Sequence, residues 1–213
     1  MTKLETVEWG RLHYSSSADR GLNNILYLMP FLLHDCPELK LHVYYGFETW
    51  EAAARSRGNE QELAEINSIK SQMAALGDRV VVHGRISQAE LAKEWKKAWC
   101  WFMPEAFTET YSITAVEAQL SATPILCSNV AALQTTVGEF GIRVQHHPYS
   151  KEGREEYLVW LKKLYHDREF WQQQSDLSLR GSKRRFGWPE RWVDFWEPLT
   201  RGVTPDASRP PSC

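Results

Sequence analysis

The 213-residue chain has no long apolar run. Nothing in it approaches the roughly 18 residues that a membrane-spanning helix needs, so no transmembrane segment is expected. The first ten residues, MTKLETVEWG, are polar and lack the apolar centre of a secretory signal. Cysteine is scarce and scattered, at Cys36, Cys100, Cys127 and Cys213, with no CxxC and no histidine spacing that would cage zinc. Cys100 and Cys127 fall in apolar runs and read as small core residues. These absences together predict a cytoplasmic protein. An excess of one charge is also missing. Twenty-five Lys and Arg face 27 Asp and Glu, a net charge of −2, which argues against wholesale nucleic-acid binding. There is no internal repeat, no GxGxxG and no GxxxxGK[ST]. A P-loop is therefore excluded, and a nicotinamide dehydrogenase disfavoured, since no acidic residue closes the second strand at a suitable distance either.

What is present is an ordinary globular composition, 43% hydrophobic and 24% charged, in a chain long enough for one domain with a real core. Ten tryptophans are many, and a good part of them fall in the last 60 residues.

Short apolar runs alternate with helical patterns. Strands are predicted at 11–16, 39–46, 79–84, 99–104, 124–128 and 141–146. A helix is predicted over 20–35, kinked or ended by Pro30. Another spans 59–77, with Gly77 as its C-cap. A third opens at Ser87, where Glu90 three positions on completes a capping box. A fourth covers TAVEAQLSA, 114–122, and Trp- and Tyr-rich helices follow from 151 to 199. His146 and His147, in QHHPYS, read as loop residues with structural roles. Residues 1–9 form an extension, 10–199 the folded domain, and 200–213 a Pro- and Ser-rich tail expected to be disordered. The alternation implies an α/β fold: a single Rossmann-like, doubly wound parallel sheet of about six strands with helices on both faces.

In such a sheet ligands bind beyond the carboxyl ends of the strands, beside helix N-termini. After the first strand comes SSSADRG, with hydroxyls at Ser15, Ser16 and Ser17, then Arg20 and Gly21 at a helix start. This suits a phosphate, although an N-cap beside a solvated arginine explains the same residues. Gly46 and Gly84 end the second and third strands and permit close approach to the backbone. After the fourth strand comes EAFTETYSITAVEA, 105–118. Thr114 and Glu117 read as a capping box, and Glu109 as a solvated loop carboxylate. Both carboxylates also lie where they can point into one crevice. There they could hold hydroxyls at each end of a phosphate-bearing ligand facing the N–H groups of Tyr111 and Ser112. That is the composition of a nucleotide sugar.

PEAFTETYSITAVEAQLSATPILCS resembles the signature of retaining GT-B glycosyltransferases of family 4: a Glu, seven residues, a second Glu, small residues, then Pro before a strand. YSSSADRGLNNIL, LHVYYGFE and HGRISQAELAKEW fall where that family's other motifs fall, and the resemblance spans residues 10–199. It implies the C-terminal, donor-binding half of a GT-B fold. By this resemblance Glu109 contacts the donor sugar and Arg20 holds the diphosphate, as the catalytic pair. Glu117 takes the ribose. Arg85, Ile86 and Ser87 lie near the base, and Thr110, Tyr111, Ser112 and Ile113 line the phosphate turn. Ser15, Ser16, Gly21, Gly46 and Gly84 complete the donor site. No cofactor or metal ion is implied, in keeping with the lack of an Asp-x-Asp. The donor implied is a UDP- or GDP-linked sugar, and the acceptor a glycan or other hydroxyl compound. An N-terminal GT-B domain would supply the acceptor side. Two departures stand out: Ser15 takes the family's earlier basic seat in the first loop, and Ala122 replaces its glycine. Trp188, Trp192 and Trp196 would form one face of a last helix. The alternative reading is a non-catalytic GT-B-like interaction module with a decayed donor site.

Overall fold

A computed structural model describes residues 3–186. The expected last helix with its tryptophans, and the expected tail, lie outside the described residues.

Six strands form one parallel sheet: β1 (Arg11–Tyr14), β2 (Lys40–Val43), β3 (Val80–Val82), β4 (Cys100–Met103), β5 (Ile125–Ser128) and β6 (Ile142–Val144). Their order is β3-β2-β1-β4-β5-β6, with every pairing parallel. The eight helices among the described residues are α1 (Leu22–Asp35), α2 (Glu48–Arg57), α3 (Glu60–Ala75), α4 (Gln88–Lys97), α5 (Ile113–Leu120), α6 (Leu133–Thr136), α7 (Lys151–His166) and α8 (Arg168–Phe186). The expected Rossmann-like sheet is what forms. None of these helices is long and apolar enough to cross a membrane.

Side chains alternate across the sheet, so neighbouring residues of one strand serve opposite layers. His13 of β1 stacks on Trp95 of α4 at 3.6 Å between centroids. Phe102 of β4, on the opposite face, meets Tyr157 of α7 edge-on, and the Tyr157 hydroxyl lies 2.6 Å from Ser128 Oγ of β5. Helices α4, α5 and α8 thus cover one face, and α1, α3 and α7 the other. β1 and β4 are buried along their whole length, as the centre of a two-sided sheet requires. Cys36, Cys100 and Cys127 are buried, free thiols.

Three local details refine the expectations. Pro30 does not end α1, which runs on to Asp35 with Pro30 on its exposed side. The segment behind Gly46 is a helix of ten residues, α2, that carries no side-chain N-cap to announce it. Thr114 and Glu117 make no capping box: α5 begins at Ile113, its N-cap is Ser112, and Thr114 is already inside the helix. The Ser87–Glu90 box, in contrast, forms in full.

Ala122 sits at φ +53°, in the left-handed region. Its neighbour Thr123 donates back to the Ala118 carbonyl, so Ala122, just past the C-cap Ser121 of α5, occupies the position normally taken by glycine. An L-residue there costs roughly 1–2 kcal/mol, of which glycine's greater unfolded-state entropy returns about 0.5–1 kcal/mol. Ala122→Gly should therefore stabilise the fold by about 0.5–1 kcal/mol, read as a higher midpoint in thermal unfolding. A midpoint at or below the parent's would contradict this account of the turn.

Candidate active site

The strand order reverses direction between β1 and β4, and the loops leaving these two strands diverge there. That divergence opens a cleft of about 400 Å³. Ser15, Ser16, Ser17 and Arg20 form one wall, and Glu109, Thr110, Tyr111, Ser112, Ile113 and Thr114 the other, with Tyr45 beyond β2 at the side.

Each wall is tied down from below. The Tyr14 hydroxyl donates to the carbonyls of Ser17 (2.5 Å) and Arg20 (3.1 Å), folding the first loop over the end of β1. Asn24 donates from its amide to the Pro104 carbonyl at 2.6 Å, joining α1 to the second loop. Ala132 donates from its backbone to the Glu109 carbonyl at 3.1 Å. Gly21 must be glycine: its φ is +87°, and a Cβ would lie 3.0 Å from that of Glu105.

Across the cleft Arg20 pairs with Glu109 at 3.1 Å, and its guanidinium lies over the Phe107 ring at 4.6 Å. The Glu109 side chain is only 10% exposed. Arg20 Nε and Ser15 Oγ are buried without hydrogen-bond partners, leaving a donor and a hydroxyl unsatisfied at the cleft. Ser112 caps α5 without accepting a backbone hydrogen bond on its side chain, which meets the Thr114 hydroxyl at 3.3 Å instead, so the first N–H groups of the helix are not met by their own cap. A cation, hydroxyls and a helix N-terminus around one opening form an anion-binding geometry.

Eight of the expected site residues thus meet in one cleft: Ser15, Ser16, Arg20, Glu109, Thr110, Tyr111, Ser112 and Ile113. Gly21 supports it from below. Arg85 reaches the rim, its guanidinium 5.4 Å from the Tyr45 ring centroid. Ile86 packs on the core and Ser87 caps α4. Gly84, at φ +69°, has open space around it, and Gly46 backs onto the Glu48 carboxylate.

Glu117 does not share this crevice, contrary to expectation. It lies in the second turn of α5 and lines a separate cleft of about 260 Å³ between α4 and α5, with Gln88, Leu91, Trp95 and Leu120. Its carboxylate accepts a hydrogen bond from Trp95 Nε1 at 3.2 Å. Burial raises its pKa, and the indole bond opposes this. The two clefts adjoin, because Thr114 in the first and Glu117 in the second are three residues apart on one helix face.

Tyr45, lining the first cleft, and Trp95, lining the second, are not among the expected site residues. Tyr45 stands directly before Gly46, so it carried a positional signal.

Among solved structures, a sucrose-phosphate synthase from Thermosynechococcus elongatus superposes with a TM-score of 0.68 at 18% identity, over 92% of this chain and 45% of that one. HepE from Anabaena, in complex with UDP-glucose, gives 0.67 at 14% identity, over 93% of this chain and 50% of that one. The C-terminal domain of a glycosyl transferase group 1 family protein from Francisella tularensis gives 0.61 at 13% identity, over 84% and 87%. The chain spans about half the length of the first two, and its fold is that of the C-terminal half of GT-B glycosyltransferases. No curated protein sequence matches it significantly. The pattern that defines the glycosyl transferases group 1 family matches residues 29–153, more than half of the chain and including both Glu109 and Glu117. With that match laid over this fold and this cleft, the chain belongs to the glycosyl transferases group 1 family.

Proposed function

We propose that the chain is a donor-binding domain for a nucleotide-diphosphate sugar, serving retaining, metal-independent transfer of a hexosyl group to a glycan or other hydroxyl acceptor. The observation that carries this reading is the convergence of Arg20, Glu109 and the α5 N-terminus on one cleft where the strand order reverses.

The diphosphate lies against the N–H groups of Tyr111 and Ser112 and the positive end of α5. Arg20 exchanges its carboxylate partner for phosphate oxygens, which frees Glu109 to accept hydrogen bonds from sugar hydroxyls. Ser15 and Ser16 add hydroxyl donors from the facing wall. The base extends towards Tyr45, Arg85, Ile86 and Ser87, and the ribose towards Glu117, one turn along α5. As the glycosidic bond breaks, charge develops on the departing diphosphate. Arg20 and the helix N-terminus are already placed to meet it, a contribution worth several kcal/mol in comparable sites. The acceptor then attacks the face that the diphosphate leaves, which retains the anomeric configuration. An N-terminal GT-B domain supplies the acceptor, since only half of the expected cleft lies in this domain. The scattered cysteines and the lack of a membrane-spanning helix among the described residues support a cytoplasmic site of action.

Calorimetric titration of the chain with UDP, GDP, ADP and their sugar conjugates, beside Glu117→Ala, tests the reading. UDP-glucose comes first, because the Anabaena relative is described in complex with it. Saturable binding to one base is expected. Glu117→Ala should weaken it about tenfold, the worth of a hydrogen bond to a charged group. A folded chain that binds none of these compounds would instead favour the interaction module, for which Ser15 in the earlier basic seat is the relevant observation.

A further inference from the structure

Glu105 has no part in the donor-site reading, yet it lies directly behind the cleft. It is 1% exposed, and neither carboxyl oxygen has a hydrogen-bond partner. Its backbone is pinned: its amide donates to the Met103 carbonyl at 3.0 Å, the preceding Pro104 carbonyl is held by Asn24, and Gly21 packs onto its Cβ. The carboxyl therefore stays where burial has put it.

The titratable groups that face it are Tyr14 on β1, Arg20 in the first loop, Glu109 in its own loop, Cys127 on β5 and Tyr157 on α7; Asp19, also in the first loop, acts on Tyr14. From α1 and its cap, Gly21 and Asn24 pack there, and neither carries a charge. Burial pushes the Tyr14, Cys127 and Tyr157 protons to higher pKa, so these groups are neutral at ordinary pH. Asp19 is solvent-exposed. Arg20 is the one cation of this set, and it is already paired with Glu109.

We propose that Glu105 is a positioning residue that must carry its proton for the cleft to hold the donor's diphosphate. As a neutral carboxyl it leaves Arg20 facing one carboxylate and the cluster balanced. As an anion it sets two carboxylates against one cation, and the cleft turns negative towards an anionic ligand. The inference rests on the donor-site reading above. Burial first, then the Glu109 charge, raise the Glu105 pKa to about 8 against the pull of Arg20. A bound diphosphate adds negative charge nearby and strengthens proton binding further, so donor binding above pH 8 takes up a proton.

The test is calorimetric titration of the full chain from pH 7 to pH 9 with whichever of UDP, GDP and ADP binds best. The terminal phosphate loses its last proton near pH 6, so the ligand's own charge is constant across this window. Affinity of the parent chain should fall about five- to tenfold over the window. Glu105→Gln, fixed in the neutral form, should lose that fall. Any other group titrating here, such as Lys3 with a pKa of about 7, acts equally in both proteins, so the difference in slope is the readout. Titrating the parent at pH 8.5 in two buffers of different ionisation heat gives a second measure that needs no variant: roughly half a proton or more should be taken up per ligand bound. Equal slopes in the two proteins, or no proton uptake, would overturn the role of Glu105 alone. Failure of the folded chain to bind any nucleotide even at pH 7 would remove the donor-site reading and this inference with it.

Discussion

Arg20→Ala is expected to weaken nucleoside diphosphate binding by about 100-fold. A charge-assisted hydrogen bond contributes about 1.5–3 kcal/mol, and each 1.4 kcal/mol is a factor of ten in affinity. Arg20 would make such bonds in a partly desolvated cleft, with its Nε already buried and unpartnered. Its loss also strands Glu109, whose side chain is largely buried and whose ion-pair partner is Arg20. An uncompensated carboxylate would then repel the diphosphate, adding to the missing attraction. Arg20→Lys restores the charge but not the planar fork, so it should recover part of the loss. Titration calorimetry on the three proteins decides the matter. Binding by Arg20→Ala within threefold of the parent would show that the anion is held elsewhere, and would leave the α5 N-terminus as the principal phosphate contact.

The largest stability effect belongs to Trp171 on α8. Its ring is fully buried, packs on Trp9 at 5.5 Å between centroids, and donates from Nε1 to the Trp99 carbonyl at 2.9 Å. Trp99 in turn meets Trp9 and Tyr165, so four large rings close the amino-terminal end of the sheet beneath α8. Trp171→Ala should cost about 3–5 kcal/mol, a large share of the roughly 5–15 kcal/mol that holds a typical domain folded. Trp171→Phe keeps much of the packing and loses the indole N–H, so about 1–2 kcal/mol is expected from the unsatisfied carbonyl and the smaller ring. Urea unfolding followed by circular dichroism separates the two. Equal midpoints for the alanine and phenylalanine variants would mean that the hydrogen bond, and not the ring packing, anchors α8.

The sheet was legible because its signals are local. All six expected runs became strands, shorter by one to four residues, since the ladder stops where the loops diverge. Helix α2 was not legible. ETWEAAARSR has no Ser, Thr, Asp or Asn before it, and only one buried residue, Ala54, so neither a cap nor a stripe marks it. At Pro30 the helix continues for a physical reason: a proline on the outer side of a helix that is buried on the other face loses one hydrogen bond, and the packing of Leu26, Leu28, Met29 and Leu32 outweighs that. At the site, sequence order put Arg20 and Glu109 on neighbouring strand-end loops, because parallel sheets collect strand-end residues on one edge. It misplaced Glu117, because an eight-residue interval says nothing about where within it the helix begins. The helix begins early, at Ile113, and Glu117 turns towards Trp95 instead of the Arg20 cleft.

The pairing of β1 with β4 has a consequence for how this domain is assembled and how it can be assayed. These strands are neighbours in the sheet, with Leu12 opposite Cys100, yet all of α1 to α4, with β2 and β3, lies between them in the chain. Neither wall of the cleft exists until that long detour has been closed, and closing it is a slow, entropically costly step. A molecule that grips both walls therefore grips the central seam of the sheet, and binding of any such molecule adds to the free energy of unfolding by mass action. A rise in melting temperature on adding a candidate compound is thus a sign that the compound binds the folded domain. It can rank donors before any acceptor has been identified.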